Sequence, residues 1–300
     1  MERDGLQGEY FDAGGVVNER TDLFLITLLL PSLTHFQERK DVFIKYDSRS
    51  GPLTVGYGAD KKRFGPELMF GWELGDALAN RSDVDEPIYL IKTAWGGRDL
   101  AVNFRPPRSG EGDYSGVLPS QYGQNYRDMA EGVQEGLEAM SSIIPGYNTT
   151  IGYQISGFCW FQGWNDMIDG KKVNEYAYNL ANLVRDVAAQ WQFSKMPIIV
   201  GELGMHGLNY TGRGADRVNG MRQAEREVPA LPEFRSHALF VPTAQYAVLN
   251  GTTYNGGYHY NGRAVRTRKP EQKFIIRTSY VKLADTFLSG YLLSHWQGNG

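Results

Sequence analysis

Apolar positions follow two rhythms along this chain, one helical and one short and continuous. Between Pro66 and Ala79, Leu68, Trp72 and Ala77 recur at near-helical spacing behind a proline suited to a first helical turn, which predicts a helix. Pro87–Ala94 (PIYLIKTA) is an apolar, β-branched run that stops at Gly96-Gly97 and predicts a buried strand. Within Gln121–Ser141, Tyr126, Met129, Val133, Leu137 and Met140 form a helical stripe. Ile151–Phe161 predicts a second strand, ended by Gln162-Gly163, with Cys159 as a core position inside it. Asn174–Trp191 predicts another amphipathic helix, carrying Leu180, Leu183, Val184, Val187 and Trp191. Met196–Gly201 and Ala238–Ala244 predict two further strands. Strand and helix in alternation point to a parallel sheet with helices on both faces. In open sheets of that kind ligands sit beyond the carboxyl ends of the strands.

Composition narrows the class of function. The chain has 300 residues, enough for two domains of about 150 residues or one large α/β domain. Its 41% hydrophobic and 22% charged residues are globular values. Lys and Arg number 31 against 34 Asp and Glu, so the net charge is −3 and supplies no footprint for nucleic acid or an anionic membrane. The longest apolar run, Leu23–Leu33, is broken by Thr27, Pro31 and Ser32 and falls short of the ~20 residues a spanning helix needs. Met1-Glu2-Arg3-Asp4 is not the basic head of a signal peptide, whereas sequons at Asn80, Asn148, Asn209 and Asn250 suit a secreted protein. Cys159 is alone, which excludes an internal disulfide, and His35, His206, His237, His259 and His295 share no metal-ligand spacing. Neither metal nor organic cofactor is expected.

The segments that follow the strands carry the candidate chemistry. They are Trp95-Gly96-Gly97, Gln162-Gly163-Trp164-Asn165-Asp166 and Glu202-Leu203-Gly204, rich in glycine, amide and aromatic residues. Ester hydrolysis passes through a tetrahedral oxyanion, and preorganised donors aimed at that oxygen contribute ~3–4 kcal/mol for one side-chain amide. A glycine N–H can approach unobstructed, and an asparagine NH₂ donates without a change of charge. Gln162 serves equally as such a donor or as a clamp on its own loop. Asp166 fits the role of a loop acceptor better than that of an acid. Trp95 and Trp164 flank the glycine turns, either as packing residues or as faces for a sugar ring. His259 lies in a turn-rich stretch, where a loop could deliver a general base.

Five stretches together resemble the sialate O-acetylesterase-like carbohydrate esterases of the SGNH hydrolase superfamily. They are residues 51–58 (GPLTVGYG), 64–68 (FGPEL), 91–97 (IKTAWGG), 160–166 (WFQGWND) and 258–262 (YHYNG). The resemblance covers roughly residues 40–262. It implies a flavodoxin-like α/β/α sandwich with a mostly parallel sheet, formed as one domain over 39–300 after an atypical segment 1–38. It implies an acetylated carbohydrate as substrate, a serine nucleophile, His259 as base, and an oxyanion hole from Gly97 with Asn165 or Gln162.

The chain also departs from the family. The Gly-Gln-Ser-Asn type turn that holds the nucleophile has no counterpart, and Ser32 after the apolar run Leu23–Leu30 is a poor mimic because Pro31 precedes it. Three residues before His259 stands Gly256 where the family often has aspartate. A basic insert at about 263–278 separates the histidine turn from the closing helical pattern. Three outcomes stay open: an O-acetylesterase, a catalytically dead carbohydrate-binding domain, or a truncated product whose sheet lacks its first strand.

Overall fold

The computed structural model describes residues 38–61, 64–79, 86–204 and 206–244. The chain enters through β1 (Val42–Tyr46), turns at Asp47 with a φ of 54°, and returns antiparallel as β2 (Arg49–Pro52). After α1 (Pro66–Ala79) comes β3 (Ile88–Lys92), which pairs parallel with β1. A second sheet is wholly parallel, in the order β4 (Phe158–Trp160), β5 (Ile198–Gly201), β6 (Ala238–Val241). The helices between are α2 (Gln124–Glu138), the single turn α3 (Met140–Ile143), the short α4 (Trp164–Met167), α5 (Gly170–Gln190) and α6 (Ala215–Ala230).

The alternating α/β order is as expected. The described strands form two three-stranded sheets in which three of the four pairings are parallel and one, β1 with β2, is antiparallel. The hairpin β1–β2 and helix α6 are additions to the elements read from the sequence. The strand expected over Ile151–Phe161 shrinks to Phe158–Trp160 because the chain first folds into a turn: the Ile151 and Gly152 N–H groups both donate to the Asn148 carbonyl, and Gly152 has a φ of 79°. Helix α5 starts earlier than expected, at Gly170, because the Asp169 side chain accepts the Lys171 N–H and caps it.

Cys159 has an exposed surface, yet its surroundings are dense enough that burial pushes its thiol up to about 12. Side chains alternate along a strand. Phe158 and Trp160 join the main core, so Cys159 faces the other way. Among the described residues β3 pairs only with β1, and β4 only with β5. Their sequences are apolar, yet β3 is half-buried throughout, whereas β5 is buried throughout.

The two largest of the hydrophobic clusters lie against these sheets. The larger gathers Tyr176, Leu180, Leu183, Val184 and Val187 of α5 with Ile198 and Val200 of β5 and Met221 of α6. Each fully buried leucine there contributes ~1.5–3 kcal/mol relative to exposure. The smaller holds Val42, Ile44, Leu53 and Leu68. Helix α1 serves both sheets, because its Leu74 packs with Ile199 and Val241, and Ile88 joins the same cluster. Lys92 at the end of β3 ties down the start of α1, pairing with Glu67 at 2.8 Å and donating to the Tyr57 carbonyl at 2.7 Å.

Close approach of α1 to its sheet depends on glycine. A Cβ at Gly71 would collide with Leu53 and lie 2.8 Å from Leu90 Cδ1, whereas one at Gly170 would meet nothing. Gly71→Ala should therefore lower stability by a net ~1–2 kcal/mol, overpacking exceeding the gain in helix propensity. Gly170→Ala should be neutral or stabilising by up to ~1 kcal/mol. Urea midpoints of the two variants check this, and equal midpoints would count against the packing.

Candidate active site

Two loops meet at the carboxyl ends of β3 and β4. After β3 the chain runs through Trp95-Gly96-Gly97-Arg98 into Asp99-Leu100-Ala101, and after β4 through Phe161-Gln162-Gly163 into α4. Asp166 joins them. It is fully buried and accepts the Leu100 N–H at 2.9 Å and the Ala101 N–H at 3.0 Å. Gln162 adds a second tie, its Nε2 donating to the Arg98 carbonyl and to Asp166, each at 2.9 Å. The Gln162 carbonyl is in turn held by the Tyr176 hydroxyl at 2.6 Å, and that hydroxyl accepts Trp160 Nε1–H at 3.0 Å.

These ties bring Gly97 and Asn165 together. Gly97 has a φ of +72°, a conformation that glycine adopts without penalty, and a Cβ added there would lie 3.8 Å from Asn165 Nδ2. Gly163, with a φ of 147°, caps α4 and so aims Trp164 and Asn165. No hydrogen bond from the Gly97 N–H or the Asn165 amide is made to another described residue. The uncommitted Asn165 amide therefore lies beside Gly97, while both hydrogens of the Gln162 amide are engaged. Trp95 stands at the rim, 41% exposed, its ring 5.8 Å from Phe104. Trp164 instead packs against the main core. His206 lies outside this cluster, stacked on Tyr210 at 3.9 Å.

Burial dominates the electrostatics of the loop. It pushes the Asp166 carboxyl up to about 6, against the pull of Gln162 and the Leu100 and Ala101 amides. Asp99 is also buried and pairs with Lys172 at 2.7 Å, and it accepts the Val102 and Asn103 N–H groups, which rigidifies the turn after Gly97. Among the described residues no group of three or more His, Cys, Asp or Glu could hold a metal ion, and no helix is long and apolar enough to cross a membrane.

Of the residues singled out in the sequence, the structure brings together Gly97, Gln162, Asn165 and Trp95, with Trp164 behind them. His259, Ser32 and the insert at 263–278 lie outside the described residues. Tyr176 and Glu225 are supports the sequence did not disclose. Tyr176 reads as one more core aromatic on a helical stripe, and a buried glutamate on a charged helix looks like a solvated one.

The comparisons with known proteins bear on what these two loops belong to. The family model for carbohydrate esterases, sialic acid-specific acetylesterase, matches residues 27–242. The chain belongs to that family. A crystal structure of a protein from Arabidopsis thaliana is similar, with a TM-score of 0.52 and 14% identity over 85% of this chain and 83% of the other. At that identity the likeness concerns the fold alone. No curated protein matches.

Proposed function

We propose that this protein is a carbohydrate O-acetylesterase of the SGNH type, built as a single domain over 39–300. The observation that carries the reading is the approach of Gly97 to the unengaged Asn165 amide at the carboxyl ends of β3 and β4, where a Cβ on Gly97 would lie 3.8 Å from Asn165 Nδ2. Family membership supplies the substrate class, an acetylated carbohydrate.

In this mechanism a serine oxygen attacks the acetyl carbonyl carbon, and its proton passes to His259. The carbonyl π electrons move onto oxygen, where Gly97 and Asn165 hold the negative charge. The C–O bond to the sugar breaks, and the sugar hydroxyl leaves with the proton returned by His259. Water then attacks the acetyl-serine with the same histidine as base, releasing acetate and restoring the serine. Trp95, exposed beside Gly97, offers a face for the sugar ring. Gln162 and Asp166 keep the two loops in register.

Hydrolysis of an aryl acetate, lost in His259→Ala and blocked by a serine-directed phosphonate, tests the reading. The labelled serine identifies the nucleophile, Ser32 or another. Absence of turnover and of label in the folded protein would overturn it. The second reading, a domain that binds acetylated sugar without turnover, draws on the exposed Trp95 ring beside Gly97. Saturable sugar binding with no phosphonate label would favour it.

A further inference from the structure

A pair of side chains on α6 takes hold of one backbone unit behind the site. Glu225 Oε2 accepts the Leu203 N–H at 3.0 Å, and Arg222 Nε donates to the Leu203 carbonyl at 3.3 Å. The two lie three residues apart on α6 and so share a helix face. Leu203 thus has its donor and its acceptor clamped by the same helix. Glu225 is fully buried and Arg222 is 7% exposed, so water does not substitute readily for either contact. The second carboxyl oxygen of Glu225 is buried and makes no hydrogen bond. A buried carboxyl with an idle oxygen is costly, and the main core of the protein would accommodate an apolar side chain there at less expense in desolvation.

What the clamp accomplishes is visible in what Leu203 touches. Its Cδ1 lies 2.6 Å from where a Cβ on Gly163 would be, with Met221 Cε at the same distance and the Tyr176 hydroxyl at 3.3 Å. Leu203, Met221 and Tyr176 thus form the wall against which Gly163 is pressed. Gly163 caps α4, and Asn165 is two residues on. A shift of Leu203 therefore transmits through Gly163 to the direction of the Asn165 amide.

We infer that Glu225, acting with Arg222 through Leu203, is a positioning residue for the Asn165 amide. The inference rests on the proposed esterase reading for its kinetic consequence, and on geometry alone for its structural one. Burial holds the Glu225 carboxyl well above the usual carboxylate range, reinforced by Glu202, and the contact to Leu203 needs only an acceptor oxygen, which a glutamine also offers.

Three variants test this in the full chain. In Glu225→Ala, kcat on an aryl acetate should fall about tenfold or more with KM within about twofold, because misplacing a donor weakens the transition state and not substrate binding. Glu225→Gln keeps an oxygen for the Leu203 N–H and should restore kcat to within about threefold of the parent. Leu203→Ala leaves the backbone clamp intact, removes the wall behind Gly163, and should reproduce the kcat loss if Glu225→Ala does not fold. Amide hydrogen exchange at residues 163–166 reads the same clamp whether or not the parent turns over ester. It should quicken in Glu225→Ala and Leu203→Ala and stay at the parent rate in Glu225→Gln. Unchanged exchange in the alanine variants, or a glutamine variant as impaired as the alanine one, overturns the inference. An inactive parent with the expected exchange pattern sinks the esterase reading and leaves the clamp standing.

Discussion

Replacing Asn165 by alanine should cut kcat on an acetyl ester by ~10²–10³ while leaving KM nearly unchanged. The expectation follows from where the amide is and from what it does not do. Its Nδ2 faces Gly97 from the opposite loop, and it makes no hydrogen bond to another described residue. A ground-state carbonyl oxygen needs little from such a donor, whereas the tetrahedral oxygen carries a full charge in a site partly shielded from water. Loss of the amide therefore raises the barrier and barely alters binding. The same independence predicts the control. Asn165 is half-buried and supports no neighbour, so the variant should unfold within ~0.5 kcal/mol of the parent. Steady-state kinetics beside a urea curve decide the matter. A variant that loses stability and keeps kcat would show that Asn165 is a loop residue and not a donor.

The pairing of Gly97 with Asn165 also explains why one side of the site tolerates no side chain. With a φ of +72°, Gly97 lies in the left-handed region at a turn anchored just after it, at Arg98 through Gln162 and at Leu100 through Asp166. Any other residue would be strained there and would bring its Cβ toward the Asn165 amide. Local chain geometry and chemistry thus call for the same residue.

Much of this was readable in the sequence, for identifiable reasons. Helix α1 falls on Pro66–Ala79 as expected because a proline marks its first turn and apolar positions keep one period. The strand before Gly96-Gly97 and the one before Gln162-Gly163 were locatable because each is an apolar run stopped by glycine. Position relative to strand ends singled out the glycine turns, and the family resemblance then nominated Gly97 with Asn165 or Gln162. What escaped was tertiary. The hairpin β1–β2 ends at Arg49-Ser50-Gly51-Pro52, a stretch with no strand-like alternation, and only pairing with β1 makes it a strand. Cys159 reads as core because its neighbours are apolar, and alternation along β4 turns it away from the core that holds Phe158 and Trp160. Gln162 could not be separated from Asn165 as a donor until the partners of both amides were known.

Asp166→Ala should be among the most destabilising substitutions near the site, by ~3–5 kcal/mol. It removes the acceptor of two buried backbone N–H groups and of the Gln162 amide at a stroke, and it uncouples the loop after β3 from the loop after β4. Asp166→Asn retains one acceptor oxygen and turns an NH₂ toward the other donors, so its loss should be intermediate. The pH dependence carries its own signature. Burial raises the folded-state carboxyl to about 6 from an ordinary value of 3.8. Below about pH 4 the group is protonated folded and unfolded alike, and it imposes no penalty on folding. Between about pH 4 and about pH 6 the unfolded chain ionises first, so the stability contributed by the protonated, buried form is lost as pH rises, and above about pH 6 the loss is complete. The parent should therefore show a decline in unfolding free energy across that window that Asp166→Asn does not share. Urea unfolding of the two proteins at intervals from pH 4 to pH 7, taken as a difference curve, isolates the contribution of this one carboxyl from those of Glu225 and the other buried acids. A flat difference, or one that rises with pH, would mean that the four hydrogen bonds to Asp166 outweigh its burial and that the loop is held by a carboxylate already ionised at low pH.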